Sequence, residues 1–228
     1  MKNTLLTITA ALLSASAGFG QISSNYTDAT GDTALSAPNQ DIASLEVSNN
    51  ATDVVMTLSM FVNNPGWGNY LVGIKTPSAP ASTTNPWGRP ITFTNTPINY
   101  WIGTWTDGGG GSQLWSYNGT SWSNTGALSS FVFSSSTNKA VMTFSLASAG
   151  LAVGDIFTFD VFSSGSGGGD AAIDSLNDPN VTTSSWTGTY NSTLSSSYQV
   201  VPEPSTVALL ALSALGVAGY AARRRARK

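Results

Sequence analysis

Residues 21–200 predict an all-β domain, an antiparallel β-sandwich of jelly-roll-like build. Three observations carry that expectation. Apolar and polar residues alternate with period two, the spacing that places one face of a strand in a core. Turn-forming pairs separate the alternating segments. No stretch in this span shows the 3.6-residue apolar period of an amphipathic helix.

The segments follow in order. Ala43, Leu45 and Val47 alternate with Ser44, Glu46 and Ser48. Val54, Met56, Leu58, Met60 and Val62 form one face of a long strand, with Thr57 and Ser59 on the other. Residues 70–75, 98–105, 113–117 and 130–134 are further strand candidates. Ala140, Met142, Phe144 and Leu146 stand opposite Val141, Thr143 and Ser145, and Phe157, Phe159 and Val161 opposite Thr158 and Asp160. Turns are expected at Asn49-Asn50, Asn63-Asn64-Pro65-Gly66, Asp107-Gly108, Asn118-Gly119 and Gly154-Asp155. In LWSYNGTSW, Asn118-Gly119 predicts a type I′ hairpin with aromatic residues on both arms. Residues 171–180, AAIDSLNDPN, read as a short helix or an irregular loop, and 182–199 as a Ser/Thr-rich stretch holding a last strand before an extended linker.

Composition excludes several chemistries. The chain of 228 residues has no Cys and no His, so disulfides, thiolate nucleophiles and imidazole bases or ligands are absent. Charged residues make up 9% of it. Between 21 and 200 the bases are Lys75, Arg89 and Lys139, and they face eleven acids, all Asp except Glu46. Such a surface repels phosphate backbones, so nucleic acid is not an expected partner. It attracts hard cations such as calcium instead.

The ends carry targeting signals. Lys2, an apolar run from Leu5 to Leu13 and the small residues Ala15, Ser16 and Ala17 predict a signal peptide over 1–20, cut by signal peptidase after Ala17 or Gly20. Residues 206–222 are uncharged and apolar, and at ~1.5 Å per residue they span about 25 Å, enough for a transmembrane helix. Arg223, Arg224 and Arg225 open a basic tail over 223–228 that holds this end in the cytoplasm and the domain outside. Ahead of the helix, Pro202 and Pro204 keep Val201-Pro202-Glu203-Pro204 extended. This order of motif, helix and arginines over 201–228 resembles the PEP-CTERM sorting signal of bacterial exosortase systems. The resemblance implies that Pro202, Glu203 and Pro204 are substrate residues of exosortase. It also implies a Gram-negative, polysaccharide-producing source, with brief membrane anchoring followed by display at the cell surface or in the extracellular matrix of a biofilm.

Asp28-x-x-Gly31-Asp32, Asp41-Ile42, Val47-Ser48-Asn49 and Asp53 before a strand resemble the opening of family 9 carbohydrate-binding and DOMON-like sandwiches, which implies a sandwich fold and, in several members, sugar or calcium binding.

Candidate site residues follow from these patterns. Six of seven tryptophans lie between Trp67 and Trp122. Trp101 and Trp105 share a strand face with Gly103 between them, and core filling is their expected role. Trp67 in NNPGWGNY, with Tyr70, and Trp87 in TNPWGRP, with Arg89, lie in or beside turns where an aromatic plane meets a sugar ring. Capping the core edge is the competing role. For calcium, Asp28, Asp32 and Asp41 form one acidic stretch and Asp170, Asp174 and Asp178 another, against the alternative of solvated loop aspartates. No other cofactor is expected. Without His or Cys, only paired carboxylates could run acid–base chemistry, and the turn-bound aspartates argue against an enzyme. The expected function is structural or adhesive. A carbohydrate-binding module that recognises the exported polysaccharide is the alternative, and a glycan hydrolase a weaker one.

Overall fold

A computed structural model describes residues 22–202 apart from 34, 36, 79 and 181–184. The signal peptide, the 206–222 helix, Glu203, Pro204 and the basic tail lie outside the described residues. Among the described residues no helix is long and apolar enough to cross a membrane.

Among the described residues fourteen strands build two principal sheets and one short pair. The first sheet contains β1 (Ser23–Thr27), β2 (Ile42–Asn49), β3 (Asp53–Met60), β9 (Ser130–Ser134) and β10 (Lys139–Ser145), in the order β1-β2-β3-β10-β9. The second runs β12-β11-β4-β6-β7-β8, from β12 (Ala172–Ser175), β11 (Ile156–Ser164), β4 (Asn69–Lys75), β6 (Tyr100–Trp105), β7 (Gly111–Tyr117) and β8 (Trp122–Gly126). β14 (Ser196–Gln199) also pairs with β11, beside its first half, while β12 pairs with its last residues. These pairings are antiparallel. β5 (Ile91–Thr92) and β13 (Tyr190–Asn191) form a separate parallel pair.

The alternation read from the sequence places the core. Val54, Met56 and Leu58 on β3, and Ala140, Met142 and Phe144 on β10, are fully buried against Val72, Ile74, Ile102, Phe159 and Val161 of the second sheet. Tyr70 stacks on Phe133 across the interface, with ring centroids 5.9 Å apart, and Tyr26 meets Phe159 edge-on at 5.1 Å. Each fully buried side chain of this size contributes about 1.5–3 kcal/mol. The other face of the first sheet presents Glu46, Thr57, Val141 and Thr143, with Val132 55% exposed.

Several local expectations are corrected. β3 ends at Met60, so Val62 lies outside the strand and is exposed. A bulge between Ile42 and Ser44 shifts the register of β2 and puts Ile42, not Ala43, in the core with Leu45. The hairpin turn falls one residue late. Tyr117 pairs with Trp122, the Asn118 amide donates to the Ser121 carbonyl, and only Gly119 has positive φ, at 101°. The central pair is therefore Gly119-Thr120, with Gly first as in a II′ turn. The two aromatic arms do meet, with Tyr117 and Trp122 rings 5.3 Å apart. Ala172–Ser175 is an edge strand rather than a helix or loop.

The largest departure is a third layer. Cross-strand register puts Gly73, Trp101 and Trp115 on the outer face of the second sheet, with Leu71, Gly103 and Gln113. The 76–99 excursion covers this face: Phe93 lies on Gly73, and Trp87 lies on Gly103. Phe93, Trp101, Phe162 and Tyr190 form a continuous aromatic cluster there. Trp101 is fully buried as expected, but under this layer and not between the sheets.

Candidate functional site

The four residues singled out for sugar contact take different places. Tyr70 is fully buried between the sheets, its hydroxyl accepting a hydrogen bond from Asn64 Nδ2 at 2.8 Å, and burial pushes its phenol above the ordinary range. Arg89 is 5% exposed. Its Nη1 donates to Ser164 Oγ at 2.7 Å, the Asp170 carbonyl at 3.0 Å and the Gly165 carbonyl at 3.3 Å, tying the 85–91 loop to the end of β11. Burial lowers its pKa, and the charge of Asp170 opposes that shift. Trp87 is half-buried on Gly103, its Nε1 donating to Gln113 Oε1 at 3.0 Å, with the Arg89 guanidinium 5.5 Å from its ring centroid. Trp67, also half-buried, leans on Trp186 at 6.1 Å. The structure thus joins Trp87 to Arg89 and pairs Trp67 with a tryptophan 119 positions later in the chain.

An open cleft of about 510 Å³ lies elsewhere, between β9 of the first sheet and the turn that joins β6 to β7 in the second. Half-buried Trp105, Phe131 and Phe133 line it, with Gly111, Ser112 and Ala127. Trp105 covers its cross-strand partner Gly111. None of the lining residues is an acid. The sequence marks 130–134 only as a strand candidate and does not single out Phe131 or Phe133; β9 stands at the edge of the first sheet.

The acidic residues regroup. Asp28 and Asp32 come from the stretch between β1 and β2, and Asp174 comes from β12 of the other sheet. One carboxylate oxygen of each lies within 4.8 Å of the others. Asp174 is fully buried; its Oδ2 accepts the Ile42 amide at 2.6 Å and its Oδ1 the Ser175 amide at 2.9 Å. Asp28 Oδ1 accepts the Ala29 amide at 2.8 Å. Burial pushes Asp174 up to about 8 and Asp28 up to about 7, with neighbouring carboxylates adding to both. Burial also raises Asp32 and Asp41. Asp41 stands beside the trio, its Oδ2 accepting the Gly31 amide at 2.9 Å. The second acidic set does not assemble: Asp170 Oδ2 accepts the Gly167 amide at 2.8 Å, and Asp178 Oδ2 accepts the Tyr190 hydroxyl at 3.3 Å. Sequence spacing could not find the partnership of Asp28, Asp32 and Asp174, because about 140 residues and a sheet crossing separate its members.

At the exit of the domain, β14 leads straight to the C-terminal signal. Val200 is fully buried; its amide donates to the Asp155 carbonyl at 2.9 Å, and its carbonyl accepts the Gly154 amide at 2.8 Å. Asn49 grips the next residue with both side-chain atoms: Oδ1 accepts the Val201 amide at 3.0 Å and Nδ2 donates to the Val201 carbonyl at 2.9 Å. Tyr198 hydroxyl donates to the same Oδ1 at 2.8 Å. Pro202 follows this grip directly.

Comparison with protein families matches residues 200–225 to the PEP-CTERM protein-sorting motif. No curated protein matches the chain. The matched motif is the mark of an exported surface protein that is targeted to exosortase.

Proposed function

We propose that this exosortase-targeted chain delivers a rigid, non-catalytic β-sandwich to the cell surface or the extracellular matrix, where it acts structurally or adhesively. One observation carries the reading: the sorting motif begins on Val200, a residue locked in the sandwich, so the folded domain itself is what exosortase presents. Burial of Tyr70 and Arg89 and the seating of Trp87 on Gly103 support a scaffold, since these side chains hold layers together. A cleft without acids supports a non-enzymatic role. A strain lacking the chain should lose cohesion between cells or with the matrix, and re-expression should restore it. Unchanged cohesion would count against an adhesive role.

The open cleft favours a second reading, recognition of exported polysaccharide, because aromatic planes beside hydroxyl and backbone donors suit a sugar ring. Co-sedimentation of the processed protein with the native polysaccharide, abolished by Trp105→Ala, would select this reading. Absence of co-sedimentation, with and without calcium, would remove it.

A further inference from the structure

We infer that Asp28, Asp32 and Asp174, with Asp41 beside them, form a calcium site that clips the edge of one sheet to the edge of the other. The geometry fits first. Calcium–oxygen distances of 2.3–2.6 Å put ligand oxygens up to roughly 5 Å apart across the ion. The three carboxylates lie within 4.8 Å of one another.

A separate observation points to a ligand. Four carboxylate oxygens are withdrawn from solvent with no hydrogen-bond partner among the described residues: Asp28 Oδ2, both oxygens of Asp32, and Asp41 Oδ1. Asp41 is 3% exposed, and its other oxygen accepts the amide of Gly31, inside the Asp28–Asp32 loop. Bare buried carboxylate oxygens are strongly disfavoured unless a cation or donor meets them. Among the described residues, the charges acting on these four acids are those of other aspartates. The donors are all oxygen, which selects a hard cation. A site made of several protein carboxylates suits calcium better than magnesium, which keeps its waters and demands strict octahedral geometry.

The site lies where it would matter mechanically. β1 is the edge of the first sheet and β12 the edge of the second. Asp174 already bonds the Ile42 amide across that seam, and an ion shared with Asp28 and Asp32 would close it from the other side. Affinity in the 10⁻⁴–10⁻³ M range, that of extracellular calcium modules, would load the site only after export.

The test uses the full chain in detergent, stripped with EDTA and melted at neutral pH in a calcium series and a parallel magnesium series. Calcium at about 100-fold over its dissociation constant should raise Tm by roughly 5–10 °C, with magnesium giving much less. Isothermal titration should show one calcium per chain. Asp32→Asn removes a carboxylate that bonds no other residue among the described ones, so it should fold, and its Tm should not respond to calcium. No calcium response in the native chain overturns the site, as does a response that survives Asp32→Asn. An equal response to magnesium overturns the assignment of the ion. Should Asp32→Asn fail to fold, the stoichiometry on the native chain decides alone, and anything other than one ion contradicts the proposal.

Discussion

Asp160 is fully buried on β11, and four donors converge on its carboxylate: Ser175 Oγ at 2.8 Å, Ser192 Oγ at 2.6 Å, the Val161 amide at 2.8 Å and the Asn177 amide at 3.3 Å. Burial nevertheless pushes it up to about 7, because the donors only partly replace lost water. In the unfolded chain an Asp titrates near ~3.9, so between roughly pH 4 and 7 the folded state binds the extra proton. Its contribution is full below that window and is lost as pH rises through it. Melts in EDTA should therefore show stability, and Tm with it, falling from pH 5 to pH 8, with Asp160 contributing on the order of a few kcal/mol, and Asp160→Asn should reduce that slope while Asp28 and Asp174 carry the rest. A native slope unchanged in the variant would contradict the assignment. The sequence placed Asp160 on the polar face opposite Phe159, correctly. It did not show that the polar face is itself covered, since alternation separates two faces but does not say what lies over either.

At the scale of elements, β3, β10 and β11 were readable because each alternates over most of its length and packs one face on the opposing sheet. β2 misled by one residue: a bulge at 42–44 leaves no mark in a run where Ile42, Ala43 and Leu45 are all apolar. β12 was missed because four residues, all buried, show no alternation at all. The outer layer was also out of reach, since it depends on glycines in one element receiving rings from another. Gly103 illustrates this: a Cβ there would meet the Trp87 ring, so Gly103→Ala should cost about 1–3 kcal/mol by overpacking. It should also displace Trp87 from Gln113 Oε1, shifting tryptophan emission to longer wavelength. Native emission and an unaltered Tm would show that the third layer does not seat on the sheet as described.

Across the whole molecule, the two ends of the domain meet at one seam. Tyr26 hydroxyl donates to the Ser197 carbonyl, and Tyr198 hydroxyl contacts the Ile22 carbonyl at 3.5 Å. The chain thus enters and leaves the sandwich at one place, with Asn49 holding the residue just before Pro202. Four residues lie between this grip and residue 206, where the sequence predicts the membrane helix to begin; at ~3.3 Å each they would hold the sandwich within roughly 15 Å of the bilayer before processing. The sorting signal was evident from sequence because its motif, apolar run and arginines are contiguous, whereas the grouping of Asp28, Asp32 and Asp174 depends on the folded arrangement of distant segments. The most direct measurement is cell fractionation of a strain carrying Pro202→Ala, Glu203→Ala and Pro204→Ala together. The account predicts a folded, unprocessed chain retained in the inner membrane; release of that variant at the native rate and size would contradict it.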